Sequence, residues 1–279
     1  MRKIPKPTVD VSLVYDACLS GIGNVDKQSR FVSHKGNVLY AASEYEKKAF
    51  DSEIYQIKAC DECITVPLVT KDEQKKLYVE QMAKLGRPGR GYYDILRGAA
   101  RLCPFCGISS VRTLEHYLPK AQYPDLAVVP VNLIPCCRDC NTEKLDAKID
   151  GIEDQNIHPY FDDFTQEQWL FADIIDLYGP SVVFRVKPPA AWSSKSQYKV
   201  MNHLTTYSLD ERFGDLGNGE IEGVRKEMTD LFDDAGSQAV KTQLEERAAS
   251  YAERNLNCWQ MALYQALANS NYYCQGNFG

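Results

Sequence analysis

Two Cys-x-x-Cys pairs stand on either side of a Glu-His dipeptide in this chain of 279 residues. The first pair is Cys103 and Cys106, the second is Cys137 and Cys140, and residues 107–136 separate them. A two-residue spacer places both sulfurs on one tight turn, and two such turns supply the four corners of a tetrahedral zinc site. Because this leaves no open ligand position, the spacing predicts a structural Zn²⁺ that fastens both ends of the intervening segment.

Other cysteines leave alternatives to this assignment. Cys136 precedes Cys137, and a pair made of Cys136 and Cys140 would have a three-residue spacer that zinc also tolerates. The repeated two-residue spacing favours Cys137. Cys60 and Cys63 form a third Cys-x-x-Cys, but no second pair is near and no βαβ pattern surrounds it, so both are interpreted as ordinary thiols.

The dipeptide between the pairs, Glu115-His116, could do chemistry on a phosphate ester. Carboxylate and amide oxygens suit a hard cation such as Mg²⁺, which makes Glu115 and Asn141 candidate ligands. An imidazole with a pKa near neutrality can deprotonate a water molecule, which makes His116 a candidate general base. A lone histidine on a strand is more often structural, and it is the adjacent carboxylate that favours catalysis.

The elements around these residues read as strand, loop, strand and helix. VRTLEHYLP and AVVPVNLIP have the composition of strands, and RDCNTEKLDAKI is typical of a helix. The sequence therefore predicts a ββα unit closed by the zinc site. Glu115 and His116 would end the first strand, Asn132 would lie on the second strand, and Asn141 would fall at the helix start.

The flanking sequence predicts an α+β fold with mainly helical ends. Residues 71–86 have helical spacing that stops at Gly86, SVVFRV is a candidate strand, and an amphipathic helix is expected over 240–268. We expect an N-terminal segment at 1–86 that could bind a partner, a core at 87–165 and a mainly helical region at 166–279.

The charge of the chain limits how it could bind nucleic acid. Its net charge is −6, which argues against nonspecific binding over the whole surface. A local basic surface would have to make the contact, and residues 84–148 are rich in Lys and Arg. The expected contacts are Lys120, Arg138, Lys144 and His158, although His158 could instead cap the segment that follows it. No secretory signal or membrane-length apolar run is visible, so a cytoplasmic protein without a membrane span is expected.

The order C-x2-C, E-H, N, C-x2-C-N-x2-K resembles the zinc-clipped HNH (ββα-metal) endonucleases. The resemblance covers about residues 100–165, and CPFCG, TLEHYLPK and HPYFD are similar to the HNH subunits of Septu-type antiphage systems. It implies that Glu115 and Asn141 hold a catalytic Mg²⁺ or Mn²⁺, that His116 is the general base and that Asn132 fixes the loop carrying it. Glu115 stands where Asp is commoner in that family, and Asn141 stands where His is commoner.

The resemblance implies a metal-dependent endonuclease in an antiphage complex with an ATPase of the ABC/OLD type. DNA is the default substrate, and an RNase acting on tRNA is the alternative. The chain has no G-x4-G-K-[ST] motif of its own. Segments 1–80 and 200–279 are the expected docking surfaces, with core packing as the alternative for the 240–268 helix. A rival from another class is a zinc-stabilised binding module without catalysis.

Overall fold

The computed structural model describes residues 1–60, 69–144 and 149–279, which divide into two units. The N-terminal unit comprises Arg2–Asp162, and the C-terminal unit comprises Asp163–Gly279 together with Met1. The cysteine pairs and the Glu-His dipeptide all belong to the N-terminal unit. The predicted ranges 1–86 and 87–165 therefore share one unit up to Asp162.

Two helices open the N-terminal unit, α1 (Val11–Ser20) and α2 (Val25–Phe50). Each begins at a side-chain cap, since Asp10 accepts from the Leu13 backbone N–H and Asn24 accepts from that of Lys27. The buried residues of α2 recur every three or four positions and form one face, as in an amphipathic helix. This face contacts the turns that precede the second strand of the unit, so α2 supports the segment between the cysteine pairs.

The predicted helix over 71–86 is present but changes its geometry. It begins as α3 (Lys71–Leu77), where Thr70 and Glu73 form a capping box. It then widens into a π-helix at Tyr78–Ala83, and a short loop leads into α4 (Arg90–Arg97). The π-helix leads the chain to α4, which packs against both strands of the unit.

An antiparallel hairpin and a helix follow in the predicted order. Strand β1 (Thr113–His116) pairs with β2 (Leu133–Cys136) so that His116 lies opposite Leu133, and α5 (Arg138–Lys144) contacts β1. The α+β class predicted from the sequence is confirmed.

Three details of the prediction for this region are wrong. The second strand is shorter than predicted because Pro130 opens a 3-10 turn, Pro130–Asn132. Asn132 consequently precedes β2 and does not lie on it. Asn141 lies in the middle of α5, not at its start.

The C-terminal unit contains a second hairpin packed on helices. Its elements are β3 (Leu170–Ile175), β4 (Ser181–Val186), α6 (Ser194–Thr206), α7 (Leu209–Arg254), α8 (Trp259–Asn269) and α9 (Asn271–Cys274). SVVFRV is a strand, as predicted. Helix α7 is interrupted at Gly236, whose φ of +77° few other residues adopt.

The amphipathic helix predicted over 240–268 is two helices, because α7 ends at Arg254 and α8 begins at Trp259. Leu244 and Leu263 are fully buried within the C-terminal unit. Their burial fits the alternative that the apolar residues of 240–268 pack in the core of the chain. None of the helices in the described part of the chain is both long enough and apolar enough to cross a membrane.

Candidate functional site

The four cysteines of the two pairs converge in the N-terminal unit. All four are buried, and their sulfurs lie within 4.8 Å of one another. The Sγ atoms of Cys106 and Cys137 are 3.8 Å apart. A tetrahedral site with Zn–S bonds of about 2.3 Å has edges of roughly 3.8 Å, so the cluster needs only a small contraction to bind zinc. The predicted clustering of Cys103, Cys106, Cys137 and Cys140 is confirmed.

The backbone around the sulfurs forms two tight turns. In the first, the Gly107 N–H donates to the Cys103 carbonyl over 2.8 Å, and Gly107 has a φ of +73° that favours glycine. In the second, the Cys140 N–H points at the Cys137 sulfur over 3.4 Å. An N–H directed at sulfur stabilises a thiolate, which is the form that binds a metal.

The remaining candidate cysteines take different positions. Cys136 is buried in β2, and the pKa of its thiol is raised, chiefly by its hydrogen bond with Cys103. Cys136 therefore contacts the cysteine cluster but is not one of its four converging residues. Cys60 takes part in a disulfide bond, so it is not the ordinary thiol expected from the sequence. Cys63 lies outside the described residues.

Glu115 is buried on β1 and contacts two side chains of α5. Its Oε2 accepts from the Asn141 amide, and its Oε1 accepts from the Lys144 ammonium over 3.1 Å. The same ammonium donates to the His116 carbonyl over 2.8 Å. Burial raises the pKa of the Glu115 carboxyl, and the positive charge of Lys144 opposes that rise. The fold thus brings Glu115 and Asn141, the two predicted ligands of a catalytic ion, into contact.

His116 follows on β1 and is also buried, with only 4% of its surface exposed. Its Nε2 lies 2.8 Å from the carbonyl oxygen of Ala127, which can only accept, so Nε2 carries the proton and Nδ1 carries the lone pair. Burial, together with the nearby Lys120 cation, lowers the pKa of His116 to about 3. The sequence-based expectation of a pKa near neutrality is therefore wrong, because it ignored desolvation of the imidazolium.

A tyrosine that the sequence analysis did not select completes this site. The edge-on ring of Tyr78 lies 4.5 Å from the His116 ring, measured between centroids, and Lys120 Nζ lies 5.8 Å from the Tyr78 centroid. Tyr78 is the first residue of the π-helix, a geometry often found at functional sites. Helical spacing in the sequence does not predict the contact between Tyr78 and His116, because it does not distinguish Tyr78 from the other apolar positions of the segment.

Asn132 ties the loop after β1 to the start of β2. Its Oδ1 accepts from the Leu118 N–H over 2.7 Å, and its Nδ2 donates to the carbonyls of Leu118 and Leu126 over 3.0 and 3.2 Å. The side chain is fully buried, and these bonds satisfy its amide group. The loop that they hold includes Ala127, the acceptor for His116.

Two of the predicted nucleic-acid contacts must be corrected. Lys144 is 2% exposed and is bound by Glu115, so its ammonium is not presented to a phosphate. His158 is fully buried: the Tyr160 N–H donates to its Nδ1, and its Nε2 lies 2.8 Å from the Tyr45 hydroxyl. Its surrounding aromatic rings make it a core residue. By contrast, Arg138 is exposed and Lys120 is half-buried, so both can reach a ligand.

Comparison with known proteins yields a full-length similarity. The chain is 28% identical to Protein ea31 of Escherichia phage lambda over 299 aligned residues, covering 99% of this chain and 100% of that protein. The similarity thus extends across both units. No protein-family model and no solved structure matches the chain.

Proposed function

We propose that this chain is a metal-dependent endonuclease of the zinc-clipped HNH (ββα-metal) type, which hydrolyses phosphodiester bonds of nucleic acid. The observation that carries the proposal is the contact between Glu115 on β1 and Asn141 on α5, directly beside His116. The strand–strand–helix order and the cysteine cluster support it, because both match the order of motifs in the resemblance.

The metal of the cysteine cluster is proposed to be zinc in a structural role. Four cysteines at these distances supply the soft ligands that zinc prefers, and they leave no position for a substrate. The bound ion would join the turn before β1 to the turn before α5. Its contribution is to the stability of the hairpin and helix that carry the candidate catalytic groups.

The catalytic ion is proposed to be Mg²⁺ or Mn²⁺. Glu115 and Asn141 provide the oxygen donors that such ions prefer, so the donor types fit. The Lys144 ammonium already donates to one oxygen of Glu115, so the carboxylate would have to bind this ammonium and the ion at the same time. When bound, the ion would polarise a phosphoryl oxygen and neutralise charge developing on the phosphate.

His116 is proposed to accept the proton of the attacking water at Nδ1. Its Nε2–H is held by the Ala127 carbonyl, which fixes the ring orientation that leaves Nδ1 for this task. A pKa near 3 makes the free imidazole a weak base. The negative charge of a bound phosphate would raise that pKa and strengthen the base when the substrate is present.

The proposed substrate is DNA, and the proposed setting is an antiphage complex in which an ATPase of the ABC/OLD type controls cleavage. The acidic net charge of −6 and the missing nucleotide-binding motif favour dependence on a partner. Segments 1–80 and 200–279 are the proposed docking regions. The identity of the partner follows from the Septu resemblance.

A second candidate function is a zinc-stabilised binding module without catalysis. The observation that favours it is Lys144, whose buried ammonium already neutralises Glu115 where a catalytic ion would need the carboxylate. In such a module, Glu115 and Lys144 would be a structural ion pair, and His116 would be a core residue.

A cleavage assay separates the two candidates. Purified chain would be incubated with supercoiled plasmid and with total tRNA, in Mg²⁺, in Mn²⁺ and in chelator, alone and after co-expression with an ATPase of the ABC/OLD type. Metal-dependent nicking that disappears in His116→Ala supports the nuclease. Intact substrates under all conditions, from folded protein with zinc bound, would support the binding module.

A further inference from the structure

An open, polar cleft lies next to the second cysteine turn. It has a volume of about 570 Å³ and is lined by Ser109, Ser110, Arg112, Cys137, Arg138 and Asp139. Arg112 and Arg138 are both exposed, and the two serines add hydroxyl groups that can donate hydrogen bonds. Guanidinium and hydroxyl groups gathered in this way are suited to phosphate oxygens.

We propose that this cleft binds the phosphodiester backbone of the nucleic acid whose cleavage is assigned to the Glu115–His116 site. That the ligand is a nucleic acid rests on the proposed function. The inference assigns Arg112, Ser109 and Ser110 a role that the sequence motifs do not give them, and it places Arg138 in a defined site.

The backbone places this cleft close to the candidate catalytic groups. Arg138 and Asn141 are three residues apart on α5 and thus share one face of the helix. Arg112 immediately precedes β1, and its N–H donates to the Cys136 carbonyl over 2.8 Å as a continuation of the hairpin. Arg112 and His116 are four positions apart, so their side chains lie on the same side of the extended chain, which spans about 13 Å between them. That distance is roughly four nucleotide steps at 3.4 Å of rise per step.

One acidic group faces the cleft and shapes the expected affinity. Ser109 Oγ donates to an Asp139 carboxylate oxygen over 3.4 Å. The negative charge of Asp139 partly cancels the positive charge of the two arginines. The cleft should therefore exert little long-range attraction on nucleic acid and should bind it mainly through direct contacts. Neutralising Asp139 should therefore tighten binding, the opposite of neutralising either arginine.

The test measures binding without cleavage. In a His116→Ala background, the double variant Arg112→Gln with Arg138→Gln would be titrated with labelled duplex DNA and with tRNA over a range of salt concentrations. The matched control is Lys47→Gln with Arg254→Gln, which removes two exposed positive charges from α2 and from the end of α7. Metal analysis and circular dichroism would verify that each protein is folded and carries zinc.

We expect the cleft variant to bind at least roughly tenfold more weakly, since two charge-assisted hydrogen bonds are lost. The slope of log K against log salt on duplex DNA should flatten by about 1.8, because each phosphate contact contributes about 0.9. Asp139→Asn should tighten binding, and the control should behave as the parent. Equal affinity and slope in the cleft variant and the control would overturn the inference.

The outcomes also separate this inference from the proposed function. If wild-type chain cleaves while the cleft variant binds as the parent does, the cleft assignment is wrong and the nuclease proposal stands. If the cleft variant loses binding while wild-type chain never cleaves, the cleft is a nucleic-acid site on a non-catalytic module. If neither nucleic acid binds the parent protein in low salt, the cleft assignment is likewise overturned.

Discussion

The cysteine cluster lies at the turns that flank the hairpin carrying Glu115 and His116, and the side chains of the two clusters have different partners. The four sulfurs converge with one edge of 3.8 Å, close to the geometry of a zinc site. The oxygens of Glu115 are bound by side chains of the protein itself, Asn141 and Lys144. One cluster is arranged around a position for an ion, whereas the other is already neutralised.

This difference separates a stabilising role from a reactive one. Two Cys-x-x-Cys turns that converge supply four soft ligands for one ion, so the paired spacing, unlike the single Cys60–Cys63 pair, predicts a metal site. A buried carboxylate can be neutralised by a metal, a proton or an ammonium, and the surrounding fold decides which. The cysteine cluster, with its proposed metal bound, should therefore be rigid and essential for folding. The Glu115 cluster should tolerate exchange between partners, as a site that binds an ion during a reaction must.

The largest effect is expected from the cysteine cluster. Cys106→Ser should release zinc and unfold the hairpin, because structural zinc sites contribute on the order of 10–16 kcal/mol of binding free energy to folding. Inductively coupled plasma mass spectrometry and circular dichroism measure both changes. Cys258→Ser, at a partly exposed position in the C-terminal unit, is the control and should keep full zinc content. A folded Cys106→Ser protein without zinc would show that the cluster is not a folding site.

The second largest effect is expected from breaking the ion pair between Glu115 and Lys144. Lys144→Met leaves the Glu115 carboxylate buried without its cation, and breaking a buried pair in this way costs roughly 3–5 kcal/mol. The free energy of unfolding, from denaturant titration, measures this loss. Adding Glu115→Gln should restore much of it, because the buried charge is then removed as well. An unchanged unfolding free energy in Lys144→Met would mean that solvent or an ion already neutralises Glu115.

Removing the Asn132 side chain should lower the free energy of unfolding by a smaller amount, because only hydrogen bonds are lost. Asn132→Ala leaves the N–H and carbonyl of Leu118 without their side-chain partner, which should cost roughly 1–3 kcal/mol. Zinc content should not change, since the cysteine cluster does not depend on this amide. Asn132→Asp should lose more stability than the alanine variant at neutral pH, because it places a buried carboxylate against the carbonyl oxygens of Leu118 and Leu126. The reverse order of these two variants would contradict the assigned bonds.

Mild acidification, from pH 7 to about pH 6, should change the unfolding free energy by the smallest margin, below about 1 kcal/mol. The pKa of His116 is about 3 in the folded chain and near 6.5 when unfolded, so the folded state resists protonation. Its contribution to stability is complete above pH 6.5 and declines as the pH falls toward 3, by up to about 1.4 kcal/mol per pH unit. Unfolding free energies at several pH values should thus fall less steeply in His116→Gln. Parallel curves for the two proteins would refute the lowered pKa.

The sequence predicted the parts of the site that depend on local spacing. The cysteine turns and the order of β1, β2 and α5 follow from short motifs and hydrophobic pattern. Pro130 shows the limit of that approach, since it converts the predicted start of the second strand into a 3-10 turn. The burial of Lys144 was not predictable either, because a lysine that follows a cysteine pair is usually a solvated charge.

The environment of His116 depends on residues far from it in sequence. Tyr78 reaches the imidazole from a π-helix that begins 38 positions earlier in the chain, and a helical pattern cannot distinguish a π-turn from an α-turn. Ala127 accepts from the ring only because α2 and Asn132 hold its loop. Burial by this packing lowers the pKa of His116, while the bond to Ala127 opposes the shift, so residue type alone gave the wrong value.

The central claim is that His116 performs proton transfer in phosphodiester cleavage. The most direct test is the single-turnover cleavage rate of wild-type chain and His116→Ala, at matched zinc content and saturating Mg²⁺ or Mn²⁺, with the proposed ATPase partner present. Loss of a general base should reduce the rate by about 10²–10⁴-fold while zinc content and substrate affinity stay the same. Equal cleavage rates in the two proteins, or no cleavage by a folded wild-type complex, would contradict the account.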